Sequence, residues 1–185
     1  MSDTTITVTD AGATSVTVTG PTTTVRTNVP TVPNPRYWGN LVSTASQSNP
    51  VASAINLVTF SALEEGSGVT LSNANRINLT NAGTYVLMLV MNVSKTDSGT
   101  DDSYFWLRKN GTDVANSTQR QRLDGNNDHQ LVVCQWTETV TAGQYLQVAW
   151  ASDDADLSLA YQAAGTTPTR PATPSVHAHI FQIGD

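Results

Sequence analysis

The chain has 185 residues, enough for one well-buried domain with an appendage but short for two ordinary ones. Only 13% of the residues are charged, against about 25% in an average globular protein; 28 threonines, with Ser, Asn and Gln, make up the polarity and favour strands and turns over helices. The net charge of -6 and nine scattered Lys and Arg argue against nucleic acid as a partner, and no apolar run approaches the roughly 20 residues of a membrane span, so no membrane partner is expected either.

The opening MSDTTITVTD lacks the charged n-region and apolar h-region of an export signal. Residues 1–35 then stand apart from the rest. TITVTD (Thr5 to Asp10) and SVTVTG (Ser15 to Gly20) repeat with a ten-residue offset, and TTTVR (Thr22 to Arg26) is a weaker third copy. Each alternates Thr with Ile or Val, the period-two signature of a strand with one apolar face. Ile6, Val8, Val16, Val18 and Val25 are too few to bury a core, so the segment reads as a docking arm that adds its strands to a partner. The competing reading is a flexible Thr-rich leader. Pro30, Pro33 and Pro35 make the following stretch a stiff, extended linker.

From residue 36 to 185, short apolar runs recur between Gly, Asn, Asp and Pro punctuation: YWGNLVS, SAINLVTF, GVTL, RINL, GTYVLMLVMNV, SYFWLRKN, HQLVVCQWTETV, QYLQVAWAS, LSLAYQA and SVHAHIFQI. About ten strands without helical periodicity predict an all-β sandwich or barrel. Asn81-Ala82-Gly83, Lys109-Asn110-Gly111 and Asp124 to Asp128 supply turn residues that accept positive φ.

One strand says more than fold class. In GTYVLMLVMNV, Tyr85, Leu87, Leu89 and Met91 point one way and Val86, Met88 and Val90 the other, so both faces are apolar. A two-layer sandwich leaves one face of each sheet to water, and this pattern asks for a cover on the second face. A neighbouring subunit is the natural one; a covering loop or the arm is the alternative.

NLTNAGTYVLMLVMNV, YFWLRKNGTDV, TVTAGQYLQVAWAS and the last strand after TPTRPATPSV, in that order, resemble the tumour-necrosis-factor/complement-type globular head of bacteriophage virion proteins. The resemblance spans about Arg36 to Asp185. It implies a ten-stranded antiparallel jelly-roll sandwich that assembles as a homotrimer. No Gly-X-Y stem and no export signal precede the head, which argues against an extracellular signalling ligand. The expected role is a virion structural protein, assembled in the bacterial host cytoplasm. It would be a trimeric capsid decoration or cement protein, or a short head fibre, whose arm docks on the major capsid protein or another virion protein. The length leaves no room for a fibre shaft. The alternative is the receptor- or glycan-binding head of a tail fibre, whose loops recognise a host surface glycan or protein. Tyr85, Leu87, Leu89 and Met91 of the long strand and His177, His179 and Phe181 of the last strand are the candidate trimer interface.

No nucleophile elbow, phosphate loop or zinc-protease motif is present, so no catalytic residues and no cofactor are expected. Asp153, Asp154 and Asp156, and Asp101 with Asp102, could offer oxygen ligands to Ca²⁺, but neither set has a diagnostic spacing and both read as solvated acidic loops. Glu64 and Glu65 read as a surface loop, and His129 as exposed. His177 and His179 share one face; on a threefold axis six imidazoles could hold a transition metal, but Phe181 beside them favours interface packing. Cys134, the single cysteine, should face the interior with Val132, Trp136 and Val140 as an unreactive apolar residue. Tyr37, Trp38, Tyr104, Trp106, Trp150 and Tyr161 could include a sugar-stacking platform, though strand periodicity around most of them favours core and interface packing. The sequons at Asn78, Asn92, Asn110 and Asn116 carry no weight without a secretory route.

Overall fold

A computed structural model describes residues 36–184. Ile6, Val8, Val16, Val18 and Val25 of the expected docking arm lie outside the described residues. In chain order the strands are β1 (Trp38–Ser43), β2 (Gln47–Ser48), β3 (Asn56–Leu57), β4 (Ala62–Ser67), β5 (Val69–Ser72), β6 (Arg76–Leu79), β7 (Gly83–Lys95) and β8 (Thr100–Lys109). They continue as β9 (Thr112–Asp113), β10 (Gln119–Asp124), β11 (His129–Val140), β12 (Tyr145–Ser152), β13 (Leu157–Leu159), β14 (Gly165–Thr166), β15 (Thr169–Arg170) and β16 (Val176–Gly184). Among the described residues sixteen stretches are paired, where ten strands were expected. The additions are β4 and β10, six residues each, and the two-residue pairings β2, β9, β14 and β15, while β3 and β13 are short pairings within the expected runs SAINLVTF and LSLAYQA.

Every strand pairing is antiparallel among the described residues. The first sheet runs β2-β13-β7-β16-β1-β4, with β11 on the other edge of β7. The second runs β10-β8-β12-β6-β5, with β3 on β12 and β9 on β8; β14 and β15 form a separate ribbon. The turns follow their chemistry. Lys109-Asn110-Gly111-Thr112 closes a two-residue hairpin in which Asn110 (φ 50°) and Gly111 (φ 80°) both take the left-handed conformation that only such residues adopt cheaply.

The core lies between the two sheets. Leu41, Tyr85, Leu87, Leu89, Met91, Cys134, Trp136 and Ile180 of the first sheet meet Ile77, Leu79, Phe105, Leu107, Leu146, Val148 and Trp150 of the second. This decides which face of the doubly apolar β7 is which. Tyr85, Leu87, Leu89 and Met91, expected at the subunit contact, are no more than 1% exposed and belong to the chain's own interior. Tyr85 satisfies its hydroxyl there by donating to Asn81 O at 3.1 Å. Alternation then places Val86, Met88 and Val90 on the outside. Both faces being apolar, period two alone could not choose between them; the choice is made by the second sheet, which needs a continuous partner surface.

Two other expectations change. Glu64 and Glu65 lie not in a loop but on β4, exposed at the edge of the first sheet, where carboxylates discourage pairing with another chain. Asp101 and Asp102 lie not in a solvated loop but on β8, buried and ion-paired.

Candidate functional site

The outer face of the first sheet gathers most of the exposed large apolar side chains among the described residues. Registers across β1, β16, β7 and β11 set its side chains in rows: Trp38, Phe181, Val86 and Thr137; Asn40, His179, Met88 and Gln135; Val42, His177, Val90 and Val133. Leu131 follows beyond Val133 on β11, and Ile183 beyond Phe181 on β16. Trp38 (38%), Phe181 (42%), Ile183 (43%), Val133 (54%) and Leu131 (65%) are large apolar side chains left substantially open. Single exposed apolar residues are ordinary, but a set spread over adjacent strands of one sheet face marks a contact surface. The alternation HAHIF on β16 explains its share of the pattern: Ala178 and Ile180 fill the core while His177, His179 and Phe181 face out. Of the residues expected at the interface, these last three are therefore on the outer face and the four from β7 are not.

The two histidines lie within this face. Their rings pack edge to face with centroids 6.0 Å apart. His179 Nδ1–H donates to Asn40 Oδ1 at 2.8 Å, which fixes the ring's tautomer preference and leaves Nε2 directed elsewhere. Within one chain the pair offers two nitrogen donors, half of a tetrahedral set.

A second constellation joins the two acidic segments that the sequence presents separately. Carboxylate oxygens of Asp97, Asp101 and Asp154 lie within 4.8 Å of one another. Lys95, whose side chain is fully buried, reaches into the group. Its ammonium pairs with Asp101, lies 3.4 Å from Asp97 Oδ1 and donates to Gly99 O at 2.8 Å. Burial alone would pull the Lys95 pKa down, but the hydrogen bond and charge of Asp101, with Asp97 behind it, hold it above the ordinary lysine value. The cluster thus carries its own cation. Nothing in the sequence pattern singles out Lys95, a lysine at the end of an apolar strand, because its partners lie on the following turn and strand and meet it only in the fold.

Next to it, Arg122 on β10 reaches across to Asp102 on β8, with Nε 3.2 Å from Oδ1, and Arg120 lies 3.6 Å from the same oxygen. The hydrogen bond from Arg122 holds the Asp102 carboxyl below its usual range in spite of partial burial, and the charge of Arg120 adds to this. Asp153 and Asp154 brace the adjoining loop. Asp153 Oδ1 accepts from Asp102 N–H at 2.8 Å and Asp154 Oδ1 from Asp156 N–H at 2.8 Å.

Cys134 is buried with Val132, Trp136 and Val140, and burial pushes its thiol up to about 12, so it is neither nucleophile nor ligand at neutral pH. His129 is exposed at the start of β11. The aromatic residues divide by location. Trp150 is core, Trp38 lies on the outer face of the first sheet, and Tyr104 and Trp106 stand on the outer face of the second. Tyr37 packs partly buried against the core and Tyr161 is half-buried.

No protein-family model and no curated protein matches the sequence. Among solved structures the chain is similar to murine APRIL at pH 8.0, with a TM-score of 0.50 and 13% identity over 80% of this chain and 99% of that one. A structure of murine APRIL at pH 8.5 aligns with a TM-score of 0.45 at 13% identity, covering 80% and 99%. The likeness to the first is one of fold: two antiparallel sheets arranged as the jelly roll of tumour-necrosis-factor-type proteins.

Proposed function

We propose that this chain is a structural protein of a bacteriophage particle, a homotrimeric capsid decoration or cement protein or short head fibre. The jelly-roll head associates through the outer face of β1, β16, β7 and β11, and residues 1–35 dock by strand addition on the major capsid protein or another virion protein. The observation that carries the reading is the open apolar face. Trp38, Phe181, Ile183, Val133 and Leu131 lie on one side of one sheet, and burying such a set against copies of itself removes it from water at about 25 cal/mol per Å². The low charge fraction agrees with surface reserved for neighbours. The resemblance of the AGTY, LRKNGT and TAGQYLQV segments to phage virion heads supports the particle as its location.

The action is mechanical. Three arms on one head contact three sites, so a modest affinity per arm multiplies through effective concentration. Gold-labelled antibody against the chain, applied to intact virions, tests the location. Label over the shell is expected, whereas label at the tail tip alone would transfer the protein to the adsorption apparatus. Sedimentation equilibrium of the purified chain tests the assembly and should return the mass of three chains.

A further inference from the structure

The second sheet carries a groove on the side away from the apolar face. Tyr104 and Trp106 alternate along β8 with the core residues Phe105 and Leu107, so both rings stand on the outer surface, one pleat repeat apart. With Ile55, Asp113, Asn116 and Thr118 they line an open groove of about 450 Å³. Its floor is rigid because it is a central strand, paired with β10 on one edge and β12 on the other.

The indole is held in place. Trp106 Nε1–H donates to Asp113 Oδ1 at 3.0 Å, and Arg108 Nε pairs with the same oxygen at 2.8 Å. Both contacts fall on Oδ1, and Oδ2 takes part in neither. Arg108 also donates through Nη2 to Gly111 O at 2.5 Å, so its guanidinium is engaged within its own hairpin, and Arg120, across from Tyr104 on β10, is directed to Asp102, with Nε 3.6 Å from Oδ1. Among the described residues no Lys, Arg or His lines the groove, and Asp113 is the one charged side chain there. That lining suits neither a phosphate nor an anionic sugar. It combines fixed aromatic faces with carboxylate, amide and hydroxyl groups at the rim. Asn116, at φ 61°, occupies a left-handed turn that presents it there.

A pyranose ring has the matching chemistry, with C–H bonds on its face and hydroxyls around its edge. We infer that this groove binds a neutral saccharide, its ring stacked on Trp106 beside Tyr104 and its hydroxyls hydrogen-bonded by Asp113 and Asn116. An open, shallow groove fits a segment of a longer glycan better than an enclosed monosaccharide. The site lies on the opposite sheet from the subunit contact proposed above, and it stands or falls independently of that contact.

The full chain, incubated on a printed array of neutral and acidic oligosaccharides, should retain neutral glycans. Each retained glycan is then titrated against intrinsic tryptophan fluorescence. Trp106→Ala should weaken binding by about tenfold or more, and Asn116→Gly, which keeps the left-handed turn, should weaken it measurably. Glu65→Gln, exposed on β4 at the edge of the other sheet, should leave it unchanged. Urea midpoints of all variants separate lost binding from lost folding. The inference is overturned by an array without a neutral ligand, by a preference for acidic glycans, or by undiminished binding in both groove variants.

Discussion

Lys95, the last residue of β7, holds its ammonium against the carboxylate of Asp101, the second residue of β8, across the turn where the chain passes from one sheet to the other. The pair is buried, and the chain closes over it again where Lys95 N–H donates to Asp128 O at 3.0 Å. It is a clamp between the two layers of the sandwich.

Removing one partner strands the other. Lys95→Met should lower the urea midpoint more than a substitution at an exposed loop position, because the buried Asp101 and the half-buried Asp97 beside it then lose their cation. Adding Asp101→Asn to Lys95→Met should recover part of the loss. A double-mutant cycle in urea checks the coupling, and strictly additive losses would refute it.

The neighbouring pair sets a pH dependence. Arg122 depresses the folded-state pKa of Asp102, so the folded chain holds this carboxylate ionised to lower pH than the unfolded chain does. Its contribution is complete above the unfolded aspartate value of about 3.9 and is lost as pH falls through the folded value. For Lys95 the sign is opposite. Its raised folded pKa gives a contribution complete below the unfolded lysine value of about 10.4 and lost as pH rises through the folded value. Urea midpoints measured across pH should fall at both ends. Arg122→Gln should flatten the acid limb and leave the alkaline one.

Core and contact face should separate by substitution. Leu89→Ala removes a fully buried side chain from the sandwich and should cost about 2–5 kcal/mol of stability. In the trimer proposed above, Phe181→Asp, on the open face, should leave the urea midpoint of the head nearly unchanged while shifting sedimentation from the three-chain to the one-chain mass. A trimer that persists in Phe181→Asp would remove β16 from the contact.

Gly83 enters β7 at φ 146°, and a Cβ there would lie 2.3 Å from Gln182 Nε2 and 2.6 Å from Gly184 O. Gly83→Ala must therefore displace the end of β16, at a cost of about 1–3 kcal/mol. Thermal unfolding of this variant beside Gly143→Ala tests it. Gly143 also has positive φ, 83°, but has open space around its Cβ position, so Gly143→Ala should be the milder of the two.

The thiol of Cys134 should ignore a disulfide reagent at neutral pH until the chain unfolds. Burial both blocks access and raises its pKa to about 12. Reaction with Ellman-type reagent in buffer and in concentrated urea distinguishes the cases. Prompt labelling of the native chain would mean that β11 opens locally.

Alternation and turn chemistry are local properties, and where they are unambiguous the residues announce their places. Cys134, Trp136 and Val132 point inward as their spacing requires, and Lys109-Asn110-Gly111-Thr112 is the hairpin that its φ preferences demand. The all-β sandwich or barrel follows from many such short segments taken together, and the jelly roll from the resemblance they carry in order. Other assignments depend on contacts between residues far apart in sequence, which no local pattern carries. β7 is apolar on both faces, so only its packing against the second sheet decides that Tyr85, Leu87, Leu89 and Met91 are interior and that the outer face belongs to Val86, Met88 and Val90 with Phe181 and Val133 beside them. Likewise Asp97, Asp101 and Asp154 meet around Lys95 only after the β7–β8 turn and the loop after β12 are folded together, because charge pairing acts through space and burial creates the need for it.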